Sequence, residues 1–555
     1  MKIISYKQLI INLFIIFIIV KTLPAQEALK SAEEEYYDFL ALQGITDRPT
    51  LNYRTLSDSA WNIKNDADHV WDGQNLGRWF NLFGDFRMRV YGPELFMSGN
   101  TAAPYGQNDG VLWQGRGFNA LFKSGVRFEG YGIELTLMPY LAFSQNAEFE
   151  YIDPNYSGTD FAKKAQIYGY YGLQSVDAPQ RFGDKPFFDW DFGDSEFRYT
   201  WRTLTIGFGT QPLWLGPAQL NPIIHSNNAS SYPKLDIGLR RQPMIIPWVK
   251  WYIGDIEFRA WWGYLSESDW FNNTDCDDHN LITGVSITYG FPYFLKGLSI
   301  GLNRIMLSKW DEMNYASVFT LMLPFIYTSP GKDNSDQRLS IIIDYLLPVI
   351  GLNVYFEWGR NDYSPNVSYI VRYLFHTQGY TLGIKKSLAF SSFVIGEILL
   401  EITGLECSQD YDRVIPWSST FYAHHQITQG HTNRGQWLGA GIGTGGNSQY
   451  LGFKLYFPKG YGSIFVQRRN PDLDYTWFID SKKSNSSDLN VAENNIRAFI
   501  DFGLSGIFYF LPGLSVYSSM VFRDEHNPLN QSIPDTTKSE RRFNFYIAAS
   551  VKYTF

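Results

Sequence analysis

The segment "FNFYIAASVKYTF", residues 543–555, alternates between two kinds of side chain along its whole length. One face carries mostly large apolar groups, namely Phe543, Phe545, Ile547, Ala549, Val551, Tyr553 and Phe555. The opposite face is mostly polar and consists of Asn544, Tyr546, Ser550, Lys552 and Thr554. A period of two over this length predicts a long β-strand with one apolar and one polar face.

The same period appears in many other segments of the chain. Clear examples are "IEFRAWW" at 256–262, "NVYFEW" at 353–358 and "GEILLEIT" at 396–403. Charged residues that alternate with Ile and Phe fit a polar lumen behind a lipid-facing wall. A soluble β-sandwich would alternate in the same way, so the period alone leaves both classes open.

Composition favours the membrane alternative. Aromatic residues make up 17% of the chain and charged residues only 18%, whereas soluble domains average about 25% charged residues. The mean hydropathy of -0.22 is too low for a helical membrane protein. Aromatic girdles at both membrane interfaces raise the Tyr, Phe and Trp content of outer-membrane barrels. The net charge of -8, with scattered basic residues, argues against nucleic acid as a partner.

The N-terminus predicts export. Lys2 and Lys7 precede an apolar run at 9–20, and Ala25 offers a small residue for cleavage, so residues 1–25 are predicted to be a signal peptide. Residues 26–83 are predicted to form a periplasmic helix, at 27–45, and a lead-in segment. The helix is expected to pack under or beside the barrel.

Residues 84–555 are predicted to form one antiparallel transmembrane β-barrel in the outer membrane. Short turns near Pro348, at Pro512–Gly513 and between Gly290 and Gly297 join neighbouring strand segments. At roughly 25–30 residues per strand and connection, the barrel would contain about 16–20 strands. Lipid is then one partner. The aromatic Phe555 resembles the signal that closing strands present to the barrel-assembly machinery, which is a second predicted partner.

Four stretches depart from the strand pattern because they are rich in glycine, proline or amides. We call them the first to fourth stretches, and they are 104–119, 177–201, 211–233 and 419–449. The third, "QPLWLGPAQLNPIIHSNNASSYP", combines prolines that restrict the backbone with aromatic and amide side chains.

These stretches resemble the Wzi family of capsule-assembly proteins. The matching motifs are "NDGVLWQGRG" (108–117), "PQRFG" (179–183), "GDSEFR" (193–198), "WLGPAQLNPIIHSNNASSYP" (214–233), "GEILLEITGLE" (396–406) and "GHTNRGQWLG" (430–439). The resemblance implies an outer-membrane barrel of 18 strands that holds capsular polysaccharide at the cell surface like a lectin. The chain departs from the family pattern in "WLGPA" and "YPKL", so its glycan could differ.

Aromatic rings that stack on sugars, and polar groups that bond to hydroxyls, are the side chains a glycan site needs. The candidate ligand-binding residues are Asp109, Trp113, Arg116, Trp214, Asn221, His225, Asn227, Asn228, His424, His425, His431, Asn433 and Arg434. The asparagines could instead build turns, and the histidines could simply pack. Arg434 would either bind a uronic-acid carboxylate or pair with a lumen carboxylate such as Glu401.

The predicted function is binding of capsular or exopolysaccharide without catalysis. The alternatives are a porin-like channel for sugars or other solutes and, in third place, a glycan hydrolase. Asp189, Asp191 and Asp194 could supply paired carboxylates for the hydrolase, but no second signature accompanies them. The three histidines at 424–431 lack the usual metal-site spacing, so no metal or cofactor is predicted. Whether Cys276 and Cys407 pair is left open.

Overall fold

In a computed structural model, the described residues are 32–54, 61, 63–64, 68–154, 165–171, 176–272, 278–319, 335–361, 367–375, 377–406, 421–474, 496–530 and 540–555. The predicted signal peptide, Cys276 and Cys407 lie outside them. Within these ranges, no helix is both long enough and apolar enough to cross a membrane.

Eighteen antiparallel strands form one closed barrel, as predicted. In chain order, β1 to β18 are Arg87–Asn100, Gly117–Gly130, Ile133–Leu137 continued by Tyr140–Ser144, Phe187–Asp191 continued by Glu196–Trp201, Leu204–Gly209, Lys234–Ile246, Trp251–Ser266, His279–Gly290, Leu298–Lys309, Ser335–Leu347, Leu352–Asn361, Gln378–Ala389, Ile395–Gly404, Asn447–Phe457, Gly460–Asn470, Ala498–Leu511, Leu514–His526 and Arg541–Tyr553. The last strand pairs with the first, for example through Val551 and Leu95, so the sheet has no free edge there.

Two strands are each interrupted once, and both interruptions lie side by side. Pro139, which has no N–H group to donate, follows the first half of β3. The carbonyl oxygen of Met138 there accepts the backbone N–H of Asp194, which lies in the interruption of β4 (3.2 Å). The two interruptions therefore meet each other, and the wall remains hydrogen-bonded across them.

A few shorter elements lie outside the barrel wall. They are the two-residue strand Phe80–Asn81, which pairs with β1, the hairpin Thr432–Asn433 with Gln436–Trp437, the helices Ala165–Tyr168, Tyr315–Phe319 and Val367–Arg372, and the 3-10 helices Tyr293–Leu295, Trp310–Glu312 and Pro348–Ile350.

The alternation of β18 is resolved into an outer and an inner face. Phe543 and Ile547 are half exposed on the outside of the barrel, whereas Asn544 and Tyr546 are completely buried inside it. The predicted division between an apolar wall and a polar lumen is thus confirmed for this strand. A membrane provides the apolar surroundings that such an outer wall requires.

The two ends of the barrel differ in the length of their connections. Connections of two to seven residues join β2 to β3, β4 to β5 and each later even-numbered strand to the strand that follows it. We call the end of the barrel where these turns lie the short-turn end. The other connections are longer and form the long-loop end. They contain the third stretch and most of the first and fourth, but Phe187–Asp191 and Glu196–Trp201 of the second stretch form the wall strand β4, so the prediction that this stretch departs from the strand pattern was wrong for that part. In outer-membrane barrels, short turns face the periplasm and longer loops face outward.

An N-terminal helix, α1, spans Ala32–Leu42 and lies inside the mouth at the short-turn end. Its ring contacts are with inward-facing wall residues, since Phe39 stacks on Tyr456 at 4.0 Å between centroids. Tyr36 also stacks on Trp71 of the lead-in segment at 4.0 Å. This position differs from the expected one under or beside the barrel, because the helix packs against the inner wall itself.

Charge pairs explain why an acidic helix enters the barrel. Glu33 pairs with Lys552 on β18 at 2.6 Å, and Asp38 pairs with Lys385 on β12 at 2.9 Å. Asp38 also accepts a hydrogen bond from Arg48 at 2.7 Å. Burial would raise the pKa of Glu33, but the Lys552 ammonium more than offsets this and lowers that pKa. The helix therefore enters with its carboxylates charged and paired.

Candidate functional site

The four stretches meet inside the barrel at the long-loop end. Asn228 of the third stretch accepts the backbone N–H of Asn108 of the first (2.9 Å) and donates to the carbonyl of Trp437 of the fourth (3.0 Å). The backbone N–H of Asp177 in the second stretch donates to Gln429 O in the fourth (3.0 Å). The sequence did not indicate this meeting, since the stretches are far apart along the chain.

The third stretch crosses the lumen, and carboxylates of the barrel wall hold it. Glu401 on β13 accepts the backbone N–H groups of the three residues 219–221 at 2.7 to 3.2 Å. Glu357 on β11 accepts the N–H of Ile223 at 2.9 Å. A carboxylate is a strong acceptor and can satisfy several backbone donors that a lumen-crossing segment would otherwise leave unpaired. Both glutamates therefore fix the position of the loop.

Two predicted ligand residues of the third stretch are buried and have partners within the protein. The indole N–H of Trp214 donates to the carbonyl of Ala218 at 3.0 Å. The His225 ring bonds to Leu213 O and to the Tyr232 hydroxyl, both at 2.7 Å. Burial lowers the pKa of His225 to about 4, so its imidazole is neutral at neutral pH. His225 is enclosed by the loop, whereas Trp214, although mostly buried, also lines a cavity beside α1, where the Arg54 guanidinium lies over its ring at 5.5 Å.

The predicted asparagines of the third stretch occupy three different surroundings. Asn221 is buried and its side-chain oxygen accepts Gln107 Nε2 at 2.7 Å. Asn227 uses its carbonyl to accept the backbone N–H of Gly110 at 2.9 Å. Its side-chain oxygen is buried and has no hydrogen-bond partner among the described residues. Asn228, described above, lines a cavity that opens at the long-loop end.

The three predicted histidines of the fourth stretch have different surroundings. His424 is buried and its Nδ1 accepts the N–H groups of residues 426 and 427 at 3.2 Å. His425 is exposed beside it. His431 is buried, and its Nε2 bonds to Ile224 O at 2.7 Å. In the described part of the chain, no three side chains of the metal-binding types come together.

The remaining predicted residues of the fourth stretch, Asn433 and Arg434, also have partners within the protein. Asn433 is buried, donates to Ser230 O at 3.0 Å and accepts the N–H of Ser266 at 3.0 Å. Arg434 pairs with Asp189 of β4 at 2.7 Å. One of the two interpretations of Arg434 predicted a pair with a lumen carboxylate such as Glu401. Arg434 does pair with a carboxylate, but its partner is Asp189 of the second stretch.

The acidic residues of the second stretch have structural partners too. Asp191 accepts the N–H groups of Gly193 (2.7 Å) and Ser231 (3.0 Å). Asp194 accepts the hydroxyl of Tyr140. Asp189 pairs with Arg434, so Asp189 and Asp191 link the second stretch to the fourth and third stretches, and Asp194 links it to the wall strand β3.

The first stretch forms one wall of a cavity of about 310 Å³ at the long-loop end, which we call the outer cavity. Asp109 lies at its buried side, where its carboxylate accepts Gln114 Nε2 at 2.7 Å. Burial raises the pKa of Asp109 well above its ordinary value. Trp113 lines the cavity directly, whereas Arg116 lies nearby and donates to Thr101 O at 2.9 Å.

Aromatic side chains cover much of the outer cavity. They come from the first stretch, the fourth stretch, β16 and the loop between β3 and β4, and include Tyr105, Trp113, Phe149, Tyr151, Tyr170, Tyr171, Trp437 and Phe499. The loop packing fixes these rings: Trp437 meets Tyr170 edge-on at 5.9 Å, and Trp113 meets Phe182 edge-on at 5.0 Å. Fixed rings offer flat apolar surfaces of the kind on which sugar C–H groups stack.

Four arginines from the ends of the strands complete this cavity, and the sequence did not single them out. They are Arg469 on β15, Arg497 just before β16, Arg523 on β17 and Arg542 on β18. Arg523 forms two hydrogen bonds with Asp501 at 2.6 and 2.8 Å. Arg497 donates to the Tyr171 hydroxyl at 2.6 Å. The pairs "RR" at 468–469 and 541–542 were visible signals, but only the barrel closure brings them together.

Three buried N–H donors of the outer cavity have no acceptor in the described part of the protein. They belong to the Trp113 indole and to the Nε groups of Arg469 and Arg497. Buried polar groups normally have a hydrogen-bond partner, and an unsatisfied one is costly. The cavity is therefore equipped to receive a ligand that is rich in hydrogen-bond acceptors.

One known protein family shares part of this sequence. Residues 143–297 match the family model described as Capsule assembly protein Wzi. This match confirms the resemblance predicted from the motifs. The Wzi match contains the second and third stretches, whereas the first and fourth lie outside it. Together with the closed barrel and its apolar outer wall, the match identifies the chain as an outer-membrane protein.

Solved structures extend the comparison to nearly the whole chain. One is Wzi of Escherichia coli, described as an outer membrane protein involved in group 1 capsule assembly and as a carbohydrate binding β-barrel. It is 12% identical, has a TM-score of 0.58, and the likeness covers 96% of this chain and 100% of that one. At this identity the likeness shows the fold alone.

Two outer-membrane barrels from Pseudomonas are less similar. OccK8 (OprE) of Pseudomonas aeruginosa is 8% identical with a TM-score of 0.38, over 84% of this chain and 98% of that one. OprB of Pseudomonas putida is 9% identical with a TM-score of 0.35, over 85% and 94%. No curated protein matches the sequence.

Proposed function

We propose that this protein binds capsular or exopolysaccharide in the outer cavity and holds it at the cell surface without catalysis. The observation that carries the proposal is the combination of fixed aromatic rings with three buried N–H donors that lack acceptors. Sugar C–H faces would stack on the rings, and sugar hydroxyl or carboxylate oxygens would accept the N–H groups. The name of the Wzi family and the carbohydrate binding of its E. coli member support the same class of ligand.

Retention of a long polymer does not need a tight single site. Each repeat of the polysaccharide would engage one outer cavity weakly, and many copies of the protein would hold one chain. The rigid arginines suit this role, since ion pairs such as Arg542 with Glu525 (2.6 Å) keep the side chains in place before the ligand arrives.

A filled lumen supports binding over the porin-like alternative. Helix α1 and the lead-in segment occupy the short-turn end, and the four stretches occupy the long-loop end. The hydrolase alternative receives no support from Asp189, Asp191 and Asp194, whose carboxylates hold the second stretch in place.

Two neighbouring arginines on β15 provide a matched test. Arg469 points into the outer cavity, whereas Arg468 is exposed on the outside of the barrel. Arg469→Gln removes a guanidinium from the cavity and should weaken binding of the host's own labelled polysaccharide to intact cells about tenfold, or ~1.4 kcal/mol. Arg468→Gln should leave binding unchanged. Equal binding by both variants, at equal surface levels of the protein, would reject the outer cavity as the site.

A further inference from the structure

A second cavity lies on the opposite side of the lumen from the outer cavity. Its volume is about 400 Å³, and α1, the lead-in segment, the third stretch and the inner faces of β1 to β3 and β18 enclose it. We call it the inner cavity. Trp79 and Arg87 lie at its edge near the short-turn end, and Asp109 lies at its far end. Asp109 also borders the outer cavity, so the two cavities meet back to back.

A thin septum separates the two cavities. Its backbone contact is the hydrogen bond from Gly110 N–H to Asn227 O at 2.9 Å. Beside it, the N–H of Asn108 donates to the side-chain oxygen of Asn228 at 2.9 Å. Asn227 lines the inner cavity and Asn228 lines the outer one. Consecutive residues of the third stretch thus face opposite cavities.

The inner cavity contains the same kinds of unsatisfied hydrogen-bond donors as the outer cavity. Three of its buried N–H donors lack an acceptor within the described residues, namely Arg54 Nε, Trp61 Nε1 and Arg89 Nε. The outer cavity likewise has one indole and two arginine Nε groups in this state. The inner cavity also contains two buried oxygen atoms, Asn227 Oδ1 and Thr554 Oγ1, that have no hydrogen-bond partner in the part of the chain that the structure describes. A ligand with many hydroxyl groups satisfies donors and acceptors together.

The charges of the inner cavity single out Arg89. Lys552 pairs with Glu33 at 2.6 Å, and Lys123 pairs with Glu94 at 3.2 Å. Arg89 forms no ion pair with any described residue. Its Nη2 donates to the carbonyl of Leu76 at 2.7 Å, which fixes the side chain. A fixed guanidinium with no described carboxylate at ion-pair distance suits an anionic group on the ligand.

Aromatic faces lie close to these polar groups. Tyr37 and Trp61 stack on each other at 5.9 Å, and the Arg87 guanidinium lies over the Trp79 ring at 4.2 Å. All four side chains line the inner cavity. Rings next to hydroxyl- and carboxylate-binding groups form the same combination as in the outer cavity.

We infer that the inner cavity is a second saccharide site, which takes a sugar segment carrying a carboxylate and places that carboxylate on Arg89. The choice of a saccharide rests on the proposed function, but the inner site uses different residues. The protein thus holds two saccharide sites, one at each end of the lumen, with the septum of Gly110 and Asn227 between them.

Trigalacturonic acid and its methyl ester are suitable probes for the inner site. Purified protein in detergent exposes both ends of the barrel, and calorimetry measures the affinity. Hydrogen exchange locates the site, because binding in the inner cavity should protect residues 32–54 and 68–91. Arg89→Gln should weaken trigalacturonate binding at least tenfold and abolish that protection. The matched control Arg78→Gln changes an exposed arginine outside the cavity and should have no effect.

Several results would overturn the inner site. They are the absence of trigalacturonate binding by the unchanged protein at millimolar concentration, undiminished binding by Arg89→Gln, and equal binding of the methyl ester. Equal binding of inorganic phosphate in competition would assign Arg89 to a small anion and also reject the saccharide. Arg469→Gln distinguishes the two proposals, because only the outer site should lose cell-surface polysaccharide in that variant. If Arg469→Gln has its expected effect but Arg89→Gln does not, the inner site fails and the proposed function stands. If only Arg89→Gln has its expected effect, the outer cavity fails as the site of the proposed function.

Discussion

Glu401 illustrates how a single residue shapes this protein. Its alternation with Ile and Leu in the sequence predicted a lumen-facing carboxylate, and the structure has it completely buried on the inner face of β13. Its partners are the backbone N–H groups of residues 219–221 and the hydroxyl of Tyr355 (2.6 Å). The sequence did not reveal them, because nothing local to Glu401 indicates which loop enters the lumen.

Glu401→Gln should loosen the third stretch while the barrel remains folded. An amide has one acceptor oxygen and no charge, so it would leave some of these backbone donors unsatisfied, at a cost of about 1–3 kcal/mol. Hydrogen exchange at residues 219–221 should speed up accordingly, with unchanged heat-modifiable migration of the barrel. Glu312→Gln, at an exposed position in the loop after β9, should change neither measurement. Unchanged exchange at 219–221 in the Glu401 variant would contradict the role assigned to this carboxylate.

The strand β18 shows how far an element can be predicted from its own pattern. A period of two assigns each side chain to a face without knowledge of the partner strands. Helix α1 shows the limit of this approach. Its acidic, amphipathic pattern predicted a helix, which the structure has at Ala32–Leu42. Its insertion depends on Lys385 and Lys552, which come from distant strands and meet the helix only in the closed barrel.

The terminal Phe555 after β18 should contribute more to assembly than another phenylalanine with the same exposed surface. Phe555 and Phe545 are exposed to nearly the same extent on the outer wall, at 41% and 44%. Phe555→Ala and Phe545→Ala therefore remove similar lipid-facing surface. If the assembly machinery reads the terminal aromatic, Phe555→Ala should lower outer-membrane levels severalfold more than Phe545→Ala, as measured by immunoblotting of membrane fractions. Equal levels would reject the proposed partner.

At the scale of the whole molecule, packed segments occupy both ends of the barrel, and the outer and inner cavities lie on either side of the septum. Packing at both ends and hydrogen bonds at the septum combine to give this arrangement. The sequence predicted the barrel class because apolar and polar faces repeat along the chain. The filling of the lumen was not predictable, since it depends on which loops fold inward.

The unchanged protein should show no steady conductance in planar bilayers. Replacing Glu33 and Asp38 together by Gln and Asn breaks the buried ion pairs of α1, and removal of one partner from such pairs costs a few kcal/mol. This double variant should show more frequent transient openings. The control Asp47→Asn changes an exposed pair with Lys64, which contributes little, and should behave like the unchanged protein. Steady channels in the unchanged protein would favour the porin-like alternative over polysaccharide binding.

The sequence by itself determined the alternation of the strands, the barrel class and the positions of the first, third and fourth stretches in loops. These follow from periodicity and turn chemistry, which are local properties of the chain. Only the tertiary structure decided which polar residues face a cavity. His225 has the chemistry of a ligand residue, yet burial and internal hydrogen bonds enclose it in the loop, whereas Trp214 lines the inner cavity. Arg89 and Arg469 looked like ordinary strand residues, and barrel closure placed them in cavities, because exposure depends on every neighbour in space.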